Sequence, residues 1–296
     1  MKTTTIKTLA LFVIITVCMA LTVNAQRSAI KTDTRILYHN GPVMEGITPP
    51  VYLIWYGNWS NNPAATTILE ELTSSIGSTP YFLINTTYPD SNGAAPTGGL
   101  FYAGSVSDIY SQGPTLTPES IQQIVADQIL SYNLPLNTRA IYIVIGSSDV
   151  TDIRADGSTF CTPGTTPHHG IAMVDGAYIK YGYLGGAARC PASVGPQFVA
   201  PDGSLLPTPN GNFEADAMAS SLAHLFNVII TNPLPNAGWF DRFGLENADK
   251  CMGKFGETFT SQNGARANVR WAGREYLIQQ NWINDRRGRC TMSIVE

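Results

Sequence analysis

Charged residues are scarce in this 296-residue chain: they make up 14% of it, whereas typical globular proteins contain about 25%. This low share, combined with 44% hydrophobic residues, excludes intrinsic disorder, a coiled coil and a repeat array. Lys and Arg number 18 and Asp and Glu 22, which gives a net charge of −4 and a pI near 5.6 with no run of basic residues. Nucleic acids and anionic membranes are therefore disfavoured as partners.

Several familiar catalytic and nucleotide-binding signatures are also missing. The chain contains no G-x-S-x-G, no G-x-G-x-x-G, no P-loop and no H-E-x-x-H. The common serine hydrolases, nucleotide-binding proteins and zincin metallopeptidases that carry these signatures are thus unsupported. What is present, 27 Gly and 19 Pro in a chain of this length, predicts a loop-rich globular protein with ample residues for a core.

Residues 1–25 are typical of a secretory signal peptide. Two lysines give a positive start, residues 9–23 form an apolar segment, and Val23-Asn24-Ala25 supplies the small residues required for cleavage before Gln26. The apolar segment of about 15 residues is shorter than the roughly 20 that a membrane-spanning helix needs. Cleavage would leave 271 residues and, because it removes two lysines and no acid, would change the net charge from −4 to −6.

The cysteine content is also typical of a secreted protein. Cys18 lies in the predicted signal peptide, and four cysteines remain after it: Cys161, Cys190, Cys251 and Cys290. An even number predicts two disulfides in an oxidising space, and the pairs Cys161–Cys190 and Cys251–Cys290 are favoured among three connectivities because each closes a single loop in sequence order. A zinc site made of all four cysteines is disfavoured because no C-x-x-C pair exists.

Two sequons predict N-glycosylation in a source organism that glycosylates. They are Asn58-Trp59-Ser60 and Asn85-Thr86-Thr87, which make Asn58 and Asn85 the candidate sites.

The order of apolar patterns predicts an α/β fold. Runs of β-forming residues predict strands over residues 50–56, 81–88 and 140–145. Apolar residues at helical spacing predict intervening helices over 62–76 and from Pro118 onward, the second capped by Thr117. This alternation indicates a three-layer body in which a mixed sheet is flanked by helices.

The remaining segments are more irregular. Residues 90–113 predict a long loop or a β-hairpin, residues 171–183 a further strand or hairpin, and residues 185–211 a surface excursion held by Cys190. A third helix is predicted over 212–230 with Asn212 as its N-cap. Because no composition break follows, we expect residues 26–296 to form one domain with a loop-rich C-terminal part.

Four histidines are the natural candidates for metal binding or general-base catalysis. His39 lies in a turn sequence, where a structural role is more typical. The adjacent His168 and His169 could coordinate a metal only with a third ligand from elsewhere in the chain. His224 lies within the third predicted helix, where a buried and hydrogen-bonded histidine is the more usual case.

Three aspartates follow the strand over 140–145, at the end of the sheet where α/β proteins commonly bind ligands. They are Asp149, Asp152 and Asp156. They are candidates for a calcium or catalytic role, but the spacing fits no EF-hand loop, and such residues more often form turns and caps.

Short motifs along most of the chain resemble the EXORDIUM, or phosphate-induced protein, family. The motifs are Tyr38-His39-Asn40-Gly41-Pro42, Tyr52-Leu53-Ile54-Trp55-Tyr56-Gly57, Ser148-Asp149-Val150-Thr151, Phe160-Cys161, His169-Gly170, Gly195-Pro196-Gln197, Ala200-Pro201-Asp202-Gly203 and Thr231-Asn232-Pro233. The resemblance spans about residues 36–292. It implies secretion to the apoplast, cell wall or extracellular space, and in plants a link to growth and cell expansion.

The resemblance also implies a zincin-like scaffold. The residues expected at its metal site can be compared with this sequence. Some family members carry H-E-[LI]-A-E before the T-N-P motif, in which the first His and the last Glu would bind metal and the other Glu would act as base. Here the first position is His224, but Leu225 replaces the base and Val228 the second ligand. Glu246 would be the downstream acidic ligand. Leucine and valine have no lone pair, so the sequence indicates a degenerate site without a cofactor.

Three functions therefore remain under consideration. The first is a secreted, non-catalytic protein that binds an extracellular protein or polysaccharide. The second is a secreted metal-dependent hydrolase with a rearranged zinc site, in which His168 or His169 joins His224 and Glu246. The third is a carbohydrate-binding module that uses exposed aromatic rings, with Trp59, Trp239 and Trp282 as candidates.

Overall fold

The structure is a computed structural model that describes residues 35–295. The predicted signal peptide and its cleavage site lie outside the described residues. In chain order the strands are β1 Leu37–Tyr38, β2 Pro50–Tyr56, β3 Phe101–Asp108, β4 Thr115–Leu116, β5 Ile141–Gly146, β6 Thr151–Asp152, β7 His168–Val174, β8 Ala177–Leu184, β9 Trp239–Phe240, β10 Phe259–Thr260, β11 Arg266–Ala267, β12 Val269–Trp271, β13 Arg274–Tyr276, β14 Asn281–Ile283 and β15 Arg289–Thr291. The α-helices are α1 Pro63–Ile76, α2 Pro118–Leu130, α3 Pro191–Val194 and α4 Phe213–Thr231.

Five strands form the central sheet, in the order β3-β2-β5-β8-β7. The first four are parallel to one another, and the edge strand β7 runs antiparallel to β8, to which it is joined as a hairpin. The continuous apolar sequences of β2 and β5 suit central strands, because a parallel sheet is covered on both faces.

Helices cover both faces of this sheet. On one face, Leu53 and Ile143 pack with Leu69 of α1 and Leu222 of α4. On the other face, Ile54 and its neighbours pack against α2. Successive strand residues point to opposite faces, so the two cores are built from alternating positions of the same strands. The predicted three-layer α/β arrangement with a mixed sheet is confirmed.

The three long helices begin where the sequence signals them. Thr117 accepts a hydrogen bond from the N–H of Ser120, whose hydroxyl in turn accepts from the N–H of Thr117, and a proline opens the helix that follows. Asn212 caps α4 by accepting from the N–H of Ala215 at 3.1 Å. No helix among residues 35–295 is both long and apolar enough to cross a bilayer.

The predicted strand over residues 81–88 is wrong: Phe82–Thr87 forms a 3₁₀-helix. The hydroxyls of Thr86 and Thr87 donate to the carbonyls of Leu83 and Ile84 at 2.8 Å each, which holds the tight turns. Threonine favours strands on average, but here its side chains satisfy local carbonyls.

The predicted loop or hairpin within 90–113 is also wrong, because Phe101–Asp108 is a parallel strand of the main sheet. It lies at the sheet edge and remains partly exposed, so its sequence need not be strongly apolar. Between Tyr102 and Gly104 the register shifts by one residue against β2, and Gly104 has a φ of 142° that suits glycine.

Both predicted disulfides are confirmed. Cys161 pairs with Cys190 and Cys251 with Cys290. The first ties the loop before β7 to the start of α3. The second ties the 3₁₀-helix Asp249–Cys251 to β15, in a C-terminal part built from two-stranded antiparallel pairs.

Removing the first disulfide should destabilise the fold without preventing it. We expect the double variant Cys161→Ala/Cys190→Ala to lose about 3 kcal/mol of unfolding free energy, because a 29-residue loop in the unfolded chain is then no longer closed. Denaturant unfolding followed by circular dichroism measures this loss, with the reduced and oxidised wild type as references. An unchanged midpoint would show that this bond does not stabilise the native state.

Candidate functional site

His224 lies near the middle of α4 and is 2% exposed. Its Nδ1 is 3.2 Å from Nε2 of Gln279, and its Nε2 is 3.2 Å from Oδ1 of Asp249. An amide nitrogen only donates hydrogen bonds, so Nδ1 accepts, and the ring proton lies on Nε2, which donates to Asp249. Both ring nitrogens are therefore engaged.

His169 makes a second histidine–carboxylate pair beside the first. Its Nε2 lies 3.1 Å from both carboxylate oxygens of Glu246. Asn232, the residue that follows α4, donates from Nδ2 to Oε1 of Glu246 at 2.6 Å. Glu246 is thus held from the edge strand β7 and from the end of α4 at the same time.

Asp249 joins the two pairs into one cluster. Its Oδ2 accepts the N–H of Glu246 at 2.9 Å, while its other oxygen binds His224. Burial opposes ionisation of this carboxyl, but the hydrogen bond from His224, the N–H of Glu246 and the electrostatic attraction of His224 and His169 outweigh burial and lower the Asp249 pKa. The cluster therefore favours an ionised carboxylate between two imidazoles.

The donor set does not fit the zinc site of a metallopeptidase. Leu225 and Val228 are 0% and 1% exposed, belong to the apolar core and offer no lone pair. His224 has no ring nitrogen left for a metal. Among residues 35–295, no group of three or more His, Cys, Asp and Glu side chains is arranged to hold a metal ion.

A cleft of about 240 Å³ opens beside α4, and His224 and Gln279 form part of its lining. One wall comes from residues 160–167 and another from residues 192–197. The Cys161–Cys190 disulfide links the segments that carry these two walls. The candidate cluster is therefore next to a concave surface, although His224 itself is almost fully buried.

His168 does not join His169 at this site. Neighbouring residues of a strand point to opposite faces, and the His168 ring lies 5.4 Å from the ring of Tyr183, which belongs to the core on the α2 side. Burial, with smaller effects from the charges of Arg154 and His169, lowers the His168 pKa to about 3. Of the two adjacent histidines, only His169 therefore remains a candidate for the third ligand.

Other predicted polar candidates make structural contacts. Asp152 accepts the N–H of Phe160 at 2.8 Å and pairs with Arg154 at 3.3 Å. Asp156 accepts the N–H of Ser158 at 2.9 Å within a turn. His39 stacks on Phe240 with ring centroids 3.6 Å apart.

The two candidate glycosylation sites differ in accessibility. Asn58 is exposed, and its Oδ1 accepts from Ser60. Asn85 is fully buried, and its Nδ2 donates to Phe82 and to Asn227 at 3.1 and 2.7 Å. A glycan on that nitrogen is incompatible with these bonds, so Asn58 alone stays a prediction.

The three tryptophans are not exposed platforms. Trp59 is 9% exposed and donates from Nε1 to Ile145. Trp239 is partly buried and donates to the carbonyl of Pro89 at 2.9 Å. Trp282 is partly buried beneath the ammonium group of Lys250, 5.4 Å from its ring centroid.

Sequence reasoning missed three members of the cluster, Asp249, Gln279 and Asn232. Asp249 follows Glu246 by three residues, a spacing that could have marked it as a neighbour in a turn. Gln279 is 55 residues from its partner His224, and no local pattern marks such a contact. Asn232 belongs to the Thr231-Asn232-Pro233 motif, but the motif does not say what it binds.

Comparison with known proteins shows which family the chain resembles in sequence. The family model "Phosphate-induced protein 1 conserved region" matches residues 36–292. "Protein EXORDIUM-like 3" of Arabidopsis thaliana is 30% identical over 84% of this chain and 80% of its own length. "Protein EXORDIUM-like 5" of the same plant is 28% identical over 83% of this chain and 74% of its own length. No solved structure matches the chain significantly.

The lowered pKa of Asp249 predicts how the cluster contributes to stability. A depressed carboxyl pKa stabilises the fold above the unfolded value of about 3.9, and this contribution is lost as the pH falls through the folded pKa. We expect Asp249→Asn to cost about 2 kcal/mol at pH 7, since a buried charge-assisted hydrogen bond is lost. The difference from wild type should shrink below about pH 4.

Denaturant unfolding between pH 3 and 7 tests this expectation. Asp202→Asn is the matched control, because Asp202 also has a lowered pKa, set by its hydrogen bonds with Ser204, but is fully exposed. An equal effect of both substitutions, or a difference independent of pH, contradicts the assignment.

Proposed function

The chain belongs to the phosphate-induced protein 1 family, and from this premise we propose that it is a secreted protein that binds an extracellular or cell-surface partner and catalyses no reaction. The proposal rests on the side chains that α4 has at its central positions. At the position where the family resemblance implies a metal-binding helix pattern, this chain has a histidine with both nitrogens bonded, followed by buried Leu225 and Val228.

Secretion is supported by two independent features. The sequence begins with a pattern typical of a signal peptide, and the four cysteines beyond it are paired in two disulfides. Apoplast or cell wall would be the corresponding location in a plant.

The zincin-like scaffold is likewise a proposal. Its support is a mixed sheet whose single antiparallel strand, β7, lies at the edge and presents His169 towards the cluster that includes His224 of α4. In this interpretation α4 is the former active-site helix and now serves as a core element.

A metal-dependent hydrolase is the competing hypothesis, and one observation favours it. Two histidines and two carboxylates form a connected cluster beside a cleft. Binding a metal there would require His224 to give up its hydrogen bond to Asp249, and it would leave the general-base position as leucine. We therefore favour the non-catalytic role.

Metal content distinguishes the two hypotheses. We expect the secreted, purified full chain to contain far less than one metal ion per molecule by mass spectrometry, and His224→Ala to be unchanged. His39→Ala is the matched control, because His39 is exposed and distant from the cluster in sequence. One metal ion per chain that disappears only in His224→Ala would overturn the proposal and direct the work to hydrolase assays.

The binding role needs a separate measurement. We expect labelled protein to bind saturably to the cell surface or wall material of its source tissue, and unlabelled protein to displace it. Binding that rises linearly with concentration, without displacement, contradicts a specific partner.

A further inference from the structure

A second concave surface lies at the carboxyl end of the sheet, away from the histidine cluster. The strand after β2 in sequence, β3, lies on one side of β2, while β5 lies on its other side. The helix after β2 covers one face of the sheet, and the helix after β3 covers the opposite face. The ends of β2 and β5 therefore form a topological switch point, where open α/β sheets leave a crevice for ligands.

The structure has such a crevice at this point, with a volume of about 470 Å³. Its walls are the loop after β2, residues 58–62, the loop after β5, residues 147–149, and the first turn of α4 with its cap, residues 212–214. Nothing in the histidine cluster contributes to it.

Glu214 gives this crevice an unsatisfied polar group. The side chain is 6% exposed, and Oε2 accepts the N–H of Ala188 at 2.7 Å, whereas Oε1 is buried and has no hydrogen-bond partner. A Cβ on Gly186 would lie 2.7 Å from this oxygen and 2.6 Å from the nitrogen of Ser148, so only glycine allows the backbone to pack this closely against Glu214 and Ser148. A buried carboxylate oxygen without a partner is costly and calls for a donor.

The rest of the lining indicates which donors are suitable. Among the described residues, no lysine, arginine or histidine lines the crevice, and its charged members are Asp149 and Glu214. This charge disfavours an anionic ligand. Of the four asparagines in the lining, Asn62 and Asn212 hydrogen-bond to each other, and Oδ1 of Asn58 accepts from Ser60. The amide of Asn61 and Nδ2 of Asn58 are the groups that could bond to sugar hydroxyls.

Apolar groups complete the lining. Trp59, Phe213 and Leu205 lie among the polar side chains, and an apolar wall beside convergent polar groups suits a sugar ring, which has a C–H face and a hydroxyl edge. Trp59 is mostly buried and its Nε1 donates to Ile145, so it is not a stacking platform.

We infer that the crevice between the ends of β2 and β5 binds a neutral sugar unit of an extracellular polysaccharide, with Glu214, Asn58 and Asn61 hydrogen-bonded to its hydroxyls. The inference deepens the proposed binding role and rests on it. It also gives the partner a chemical class and separates its site from the former catalytic position.

Two variants test the site. Asn61→Trp places a large ring at an exposed position of the crevice wall and should weaken sugar binding at least about 10-fold, equivalent to about 1.4 kcal/mol. Glu214→Gln replaces a charged acceptor with a neutral amide and should weaken binding about 3- to 10-fold, since charge-assisted hydrogen bonds are the stronger ones.

Glu214→Gln is also expected to fold. Burial raises the Glu214 pKa despite the hydrogen bond from the N–H of Ala188, so ionisation of this group lowers stability as the pH rises above the unfolded value. The amide removes that cost at pH 7. Asn92→Trp is the matched control for the tryptophan variant, because Asn92 is exposed on a loop outside the crevice.

The experiment is calorimetric titration of the secreted full chain with neutral hexasaccharides of glucose, xylose and mannose, and with hexagalacturonate as the anionic probe. The protein is produced without N-glycans, because Asn58 lines the crevice. We expect one neutral hexasaccharide to bind, Asn61→Trp and Glu214→Gln to weaken it, and Asn92→Trp to leave it unchanged. Absence of neutral-sugar binding, preference for hexagalacturonate, or binding insensitive to Asn61→Trp would overturn the inference.

Retention on cell-surface material separates this inference from the proposed function. If Asn61→Trp is retained as well as wild type, and neither binds a neutral sugar, the partner docks elsewhere and only the crevice assignment fails. If wild type is not retained at all, the binding role itself fails.

Discussion

The burial of α4 constrains the rest of the structure. Nearly all of its residues are inaccessible to solvent, so its polar side chains must find partners inside the protein. Most of those partners come from distant segments: Tyr81 and Asn85 for Asn227, and Asp249 and Gln279 for His224. The helix thereby fixes the loop-rich C-terminal part, which has only short strands of its own.

Two of the motifs that carry the family resemblance have an architectural explanation in the same region. Asn232 accepts the N–H of Gly238 at 2.6 Å while its amide holds Glu246. The segment that contains Gly41 packs against the same turn, so closely that a Cβ on Gly41 would lie 2.3 Å from the backbone of Ala237. Two motifs almost 200 residues apart therefore meet at one corner, and their spacing requirements are steric as much as chemical.

The sequence predicts the central elements well because their signals are local. The apolar runs of β2 and β5 and the cap at Thr117 depend on neighbouring residues, and the structure confirms them. Residues 82–87 and 101–108 were mispredicted because threonine hydroxyls can satisfy local carbonyls and because an edge strand tolerates small polar residues. At the candidate site, His224, Glu246 and His169 could be named from the sequence, but Asp249 and Gln279, the partners of His224, could not, since tertiary packing brings them to the helix.

The Cys251–Cys290 bond lies in a part of the chain with an exposed turn. Arg286 and Arg287 are exposed between β14 and β15, inside the loop that this disulfide closes. Arginine pairs in exposed turns are favourable sites for trypsin-like proteases. A molecule cut after either arginine would still hold its last residues through Cys290, so it would remain one covalent unit and separate into two pieces only on reduction.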